Sequence, residues 1–271
     1  MKEHYPRGSR LCALEENELK RRALEMVLVL FYVEDLKRFV VESIRATDQV
    51  LGHTEDNRLP HGTKGLYKKA WAILVDAGVL SEYESDELQE LIDYRNLVAH
   101  HTHVLTGDVS RYTSLRLAND AARYKDNALK RVQYFHKKIS SEMGQKFVLS
   151  LSFRGLHFEA AERTYLDELA VLERKLRRQA IAARTEAEQA NAVLSVLRQS
   201  GLLTKLEPGH LDQINRSGQL TDKGINCCRE LFIAGASPFV VAHLMRLSLR
   251  SAIRQYRLWL AAGGRESVAE A

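Results

Sequence analysis

Asp93-Tyr94-Arg95-Asn96-Leu97-Val98-Ala99-His100-His101 decides how the first half of this 271-residue chain is read. Between Ser85 and His103 the apolar residues Leu88, Leu91, Ile92, Val98 and Ala99 fall on one side of a helix, at about 100° per residue. Arg95 projects from the middle of that stripe. Arginine is almost never fully buried without a partner, so an anionic group is expected to meet it. Asn96 and His100 are spaced i, i+4 on the adjacent edge, and His103 joins them if the helix runs that far. One helix thus carries a cation, an amide and a titratable imidazole on contiguous faces.

The neighbouring segments place this helix in an all-α fold. Glu15 to Leu51 reads as a long helix with a thick apolar band that includes Leu24, Leu28, Phe31, Leu36 and Val40. Lys64 to Ala77 reads as a second, set between the Pro60-His61-Gly62 break and Gly78. The third runs from an N-cap at Ser85 to about His101, with Glu82, Glu84, Asp86, Glu87 and Glu90 near its start, as the helix dipole favours. After Gly107-Asp108 a fourth is expected from about Ser110 to Met143. Four antiparallel helices with short loops make a bundle.

Beyond the bundle the period changes. Over Gln145 to Arg154, Phe147, Leu149, Leu151 and Phe153 alternate with Val148, Ser150 and Ser152, which predicts a half-buried strand, paired locally or across a dimer. Glu159 to Arg198 returns to helix, with mixed charges and a stripe of Tyr165, Leu169, Leu172, Leu176 and Ala180. Its heptad is not sustained, so it reads as a solvated connector closed by Gly201. The expected organisation is a four-helix bundle over 1–145, a strand-like linker and long helix over 146–200, and a helical nucleic-acid-binding domain over 201–271.

The bulk numbers restrict the function. With 45% hydrophobic and 28% charged residues the chain is a folded globular protein. Cys12, Cys227 and Cys228 give an odd count with no disulfide framework or metal-ligand spacing, which points to a reducing, intracellular setting. The charged N-terminus lacks a signal peptide's apolar core, and the longest apolar run, Met26 to Val33, is too short to span a bilayer. A cytoplasmic protein without a membrane partner is expected. No nucleotide-binding glycine loop and no hydrolase triad occurs, so no cofactor is expected.

The net charge of +5 permits nucleic-acid binding. Its distribution says more. From Ser237 to Gly264 there are arginines at 246, 250, 254 and 257 and no acidic residue. Ser237 and Pro238 are an N-cap and first helical residue, opening a helix to Met245. A turn at Arg246-Leu247-Ser248 leads to a second helix, Leu249 to Ala261, closed by Gly263-Gly264. Ala242 takes the small-residue position where the two helices touch, Leu247 the buried turn position, and Ser248 the cap. Upstream, Thr221-Asp222-Lys223-Gly224 opens a helix carrying Cys227, Cys228, Leu231 and Phe232.

Two resemblances attach to these motifs. Arg95-Asn96 and His100, as Arg-Asn-x-x-x-His on a helix of a four-helix bundle, resemble the HEPN superfamily, whose active members are metal-independent endoribonucleases. The resemblance implies a homodimer that joins two motifs at its interface and cuts an RNA substrate there. Arg95 would stabilise the scissile phosphate, Asn96 would orient the reacting groups, and His100 would act on the ribose 2′-hydroxyl, with His101 and His103 as accessory candidates. The chemistry suits these residue types: imidazole titrates near neutrality and guanidinium grips phosphate oxygens in a fork. It also implies a toxin or defence effector of a mobile element, held by an antitoxin or another regulatory partner.

The second resemblance, carried by Gly235-Ala236, Leu247-Ser248, Ile253-Arg254 and Tyr256-Arg257, is to the helix-turn-helix of the flagellar master-regulator family and its relatives on conjugative elements. It implies DNA as a partner, with Arg250, Ser251, Arg254 and Gln255 facing the major groove and Arg246 or Arg257 on phosphate. Arg246 stands where many helix-turn-helices have glycine.

Plainer readings stand beside these. Arg95 can pair internally with Glu90, Asp93 or an acid on another helix while His100 merely ends a helix. His100, His101 and His103 cannot share one helix face, which speaks against a metal site. The bundle can serve only to dimerise a DNA-binding regulator, and the C-terminal arginines can be solvated.

Overall fold

A computed structural model describes residues 11–52, 58–106, 124–150, 153–215 and 217–264. The fold is all-α. Its helices are α1 (Ala13–Val50), α2 (Leu66–Asp76), α3 (Glu82–His100), α4 (Ala128–Lys146), α5 (Phe153–Gln199), α6 (Leu202–Leu206), α7 (Asp222–Ile233), α8 (Pro238–Leu244) and α9 (Leu249–Ala261). No helix among the described residues is long and apolar enough to cross a membrane. The chain forms two compact units: Asn17–Val109 with Leu117–Lys175 make one, and Leu176–Ala271 is the larger part of the other.

The core of the first unit gathers one face from each of its helices. Leu28, Leu36, Val40 and Ile44 of α1, Trp71 and Leu74 of α2, Leu88, Ile92 and Val98 of α3, and Val132, Phe135, Ile139 and Met143 of α4 share one buried cluster. Removing that apolar surface from water is the main stabilising contribution, at about 25 cal/mol per Å².

Three expected boundaries differ in this unit. α3 begins one turn earlier than expected, at Glu82, with Ser81 and not Ser85 as N-cap. Ser81 Oγ accepts from the Glu84 N–H at 3.2 Å and the Ser81 N–H donates to Glu84 Oε2 at 3.0 Å. This reciprocal pair satisfies two helix-end donors, which Ser85 inside the helix cannot do.

The fourth helix begins at Ala128, not near Ser110; positions 110–123 of the expected span lie outside the described residues. Just before it, side chains hold the backbone in another path. The Lys125 N–H donates to Tyr94 Oη at 3.0 Å, the Tyr124 hydroxyl donates to Glu25, and Arg21 donates to Asp126 at 2.8 Å.

The expected strand does not form over 147–150; residues 151 and 152 lie outside the described residues, and Phe153 and Arg154 already belong to α5. The alternation did report an extended backbone, with Phe147 at φ −130° and ψ 154°. Its partner, however, is a helix. The Val148 N–H donates to Thr47 Oγ1 at 2.9 Å and the Ser150 N–H to Ser43 Oγ at 3.1 Å. Hydroxyls spaced i, i+4 on α1 thus meet alternate N–H groups that a neighbouring strand would otherwise satisfy.

In α5 the residues from Ala180 to Gln189 are exposed on every side, the behaviour of a solvated connector. The core of the second unit begins in the last turns of α5, where Leu197 is buried with Cys227, Leu231, Phe232, Val241, Met245, Leu247 and Trp259. Rings of Phe232, Tyr256 and Trp259, with centroids 5.0 to 5.7 Å apart, tie α7 to α9. Thr221 caps α7, its side chain accepting from the Gly224 N–H. Gly224 is required by proximity: a Cβ there would lie 2.2 Å from the Gln213 carbonyl oxygen.

Candidate nucleic-acid interface and the Arg95 helix

Short side chains set the geometry of α8 and α9. Ser237 caps α8 by accepting from the Val240 N–H at 3.4 Å, and Pro238 occupies the first turn. Ser248 caps α9 by accepting from the Ser251 N–H at 3.1 Å. Between the helices the Leu247 N–H bonds the Ala242 carbonyl at 2.9 Å, and both residues are buried. Arg246 completes the turn in the left-handed region, at φ 54°. Sequence reasoning placed each of these caps and turn positions where they stand.

This packing sorts the faces of α9. Ala252 and Trp259 are buried, and Tyr256 and Leu260 pack at the edges of the core. The opposite face carries Arg250, Arg254 and Arg257, which at i, i+4 and i+7 form one stripe. All three are exposed, as are Arg246, Ser248 and Ser251, while Gln255 is half-buried toward the core side. Among the described residues Arg250, Arg254 and Arg257 make no ion pair. The stripe is a row of cations in a stretch without acids, held on a rigid helix.

The Arg95 helix has a different character. Tyr94, not Arg95, sits in the buried face beside Leu91 and Val98, and Ala99 is exposed. Arg95 lies at the margin with its side chain 23% exposed. Its guanidinium donates to Asn96 Oδ1 at 3.0 Å and reaches Glu34 Oε1 of α1 at 3.1 Å. The partner is therefore an acid on another helix. Of the two local acids, Glu90 lies 3.8 Å from Lys125 and Asp93 accepts from Gln89. Among the described residues Arg95 Nε is buried without a hydrogen-bond partner, an unusual condition for a guanidinium N–H.

His100 ends α3 and is exposed. His101 and His103 flank the next turn, their rings edge-to-face at 5.6 Å. Arg95 and Asn96 are thus in contact, while no hydrogen bond joins any of these histidines to them among the described residues. No three metal-ligating side chains converge among the described residues.

One polar cluster escaped the sequence reading. Asp35 of α1 accepts from Arg38 at 2.6 Å and pairs with His136 Nε2 of α4 at 3.0 Å. The hydrogen bond with His136 holds the Asp35 carboxyl below its ordinary range. Close by, burial and the Glu162 carboxylate push the Tyr32 hydroxyl up to about 12. Asp35 and His136 are 101 positions apart, and no local spacing announces the pair. Compared with family models, with curated proteins and with solved structures, the chain matches none.

Proposed function

We propose that this chain is a cytoplasmic DNA-binding protein that reads duplex DNA with α9. The observation that carries the reading is the stripe of Arg250, Arg254 and Arg257, exposed on a helix whose opposite face is anchored by Trp259 and Ala252. In a helix-turn-helix the second helix enters the major groove and presents its N-terminal residues to base edges. Arg250, Ser251 and Arg254 are the base-reading set, with the half-buried Gln255 at its margin. Arg246 and Arg257 meet phosphate. Ser248 sets the start and direction of the helix.

Fluorescence anisotropy with labelled duplex DNA, single-stranded DNA and RNA tests this reading. The full chain is expected to bind duplex more tightly than either competitor, and Arg250→Ala with Arg254→Ala to abolish that preference. Equal binding to all three, or a preference that survives the double substitution, refutes it.

A second reading concerns the N-terminal unit, and one observation favours it: the Nε of Arg95, buried beside Asn96 with no hydrogen-bond partner among the described residues. A guanidinium with a spare donor, loosely held by a half-exposed glutamate, can exchange that partner for a phosphate. In this reading two copies of the chain cut RNA without a metal through Arg95, Asn96 and His100, with His101 and His103 as accessory groups, under the control of a regulatory partner. Incubation of total RNA and tRNA in EDTA tests it. Wild type should leave 2′,3′-cyclic phosphate ends and both Arg95→Ala and His100→Ala should not; cleavage that persists in both variants refutes the assignment.

A further inference from the structure

The Asp35 cluster borders a cleft of about 650 Å³ that neither reading uses. Leu30, Phe31, Tyr67 and Phe158 supply its apolar and aromatic walls, and Glu34, Asp35 and Arg38 its polar groups. A volume of that order accommodates a small molecule. Phe31 stacks on the buried Phe158 at 3.8 Å and 11°, so its ring is fixed yet remains 40% exposed. Tyr67 across the cleft is 38% exposed. Two rings held open to solvent from separate helices offer a flat ligand two faces.

Charge decides what else that ligand carries. Each carboxylate of the cleft already faces two basic side chains. Glu34 has Lys37 at 3.3 Å and Arg95 at 3.1 Å; Asp35 has Arg38 at 2.6 Å and His136 at 3.0 Å. With their charge already offset in this way, the two carboxylates attract an entering ammonium group less strongly than unpaired acids do. Arg38, in contrast, makes one hydrogen bond, to Asp35, among the described residues. Guanidinium has five N–H donors in a fork, so several remain for an incoming carboxylate or phosphate.

We propose that this cleft binds a small organic anion with a flat apolar body, its ring against Phe31 and Tyr67 and its anionic group on Arg38. Asp35, fixed by His136 from the other side, orients the Arg38 fork. Binding here needs neither DNA reading by α9 nor RNA cleavage, although Glu34 of the cleft also pairs with Arg95, and its test uses neither activity.

Three probes share one ring and differ in charge: indole-3-propionate, tryptophol and tryptamine. Their affinities for the full-length protein are measured by equilibrium dialysis at up to millimolar concentration. Indole-3-propionate should bind about tenfold more tightly than tryptophol, and tryptamine least well. Arg38→Gln should bring the first two to within about threefold of each other. Tyr67→Ala, which removes no charged group, should weaken indole-3-propionate by about tenfold, with circular dichroism confirming the fold of both variants. Absence of binding by all three probes overturns the proposal. So does tryptamine binding as tightly as indole-3-propionate, or an anion preference untouched in a folded Arg38→Gln.

Discussion

Arg246→Gly should make the protein more stable and a weaker DNA binder at once. Arg246 holds a φ of 54° in the turn between α8 and α9. A left-handed conformation costs an L-residue about 1–2 kcal/mol. Glycine avoids that cost, and loses about 0.5–1 kcal/mol of it again through the greater freedom of its unfolded chain. The hydrogen bonds across the turn, from the Arg246 N–H to the His243 carbonyl at 3.4 Å and from the Leu247 N–H to the Ala242 carbonyl at 2.9 Å, are backbone bonds and survive.

The net gain is about 0.5–1 kcal/mol, or roughly 3–6 °C in the melting temperature of a unit of this size. The same change deletes a cation assigned to phosphate. The slope of log affinity against log salt should become shallower by about 0.9, read by anisotropy between about 50 and 200 mM salt. With Arg246 and Arg257 both on phosphate, wild type should lose affinity about twelvefold over that range for each bound chain. A variant that melts lower refutes the backbone argument. An unchanged slope refutes the phosphate assignment.

Other substitutions separate roles within the same and the other unit. Arg254→Ala should cost about 1–3 kcal/mol on the preferred sequence and relax specificity, whereas Arg257→Ala should weaken all duplexes alike and reduce the salt slope by about 0.9. Ser81→Ala removes the cap of α3 and should lower stability by about 1 kcal/mol in denaturant titration. The Lys138 ammonium, with the Ser81 N–H, lowers Glu84 from 4.5 to about 2. A depressed carboxyl stabilises the fold above its unfolded range, so the difference between wild type and Glu84→Gln, at most about 1 kcal/mol, should hold above pH ~5 and vanish toward pH ~2. Burial pushes the Cys227 and Cys228 thiols up to about 11 and 12, so iodoacetamide at pH ~8 should spare both in the native protein and label them on unfolding.

The C-terminal region was legible because its signals are local. Ser237 with Pro238, Ser248 before Leu249, and the paired glycines at 263 and 264 each fix a helix end within a few residues, and α9 spans Leu249–Ala261 as read. The N-terminal errors came from partners distant in the chain. Ser43 and Thr47 look like ordinary polar positions of α1, yet they accept the N–H groups that made 147–150 resemble a strand. Tyr94 displaces Arg95 from the buried face because its hydroxyl meets the Lys125 backbone. Helical periodicity alone ranks aromatic and guanidinium side chains at such an edge poorly. That Arg95 needs an acid was legible; that the acid is Glu34, in a different helix, was not.

The most direct test of the central claim is selection of duplexes from a random-sequence DNA library by the full-length protein, beside the Arg250→Ala, Arg254→Ala double variant. DNA reading by α9 predicts enrichment of a defined sequence by wild type, with contacted guanines lost from the motif, or the motif lost altogether, in the variant. No enrichment by folded wild-type protein, or the same motif recovered with both arginines gone, would contradict it.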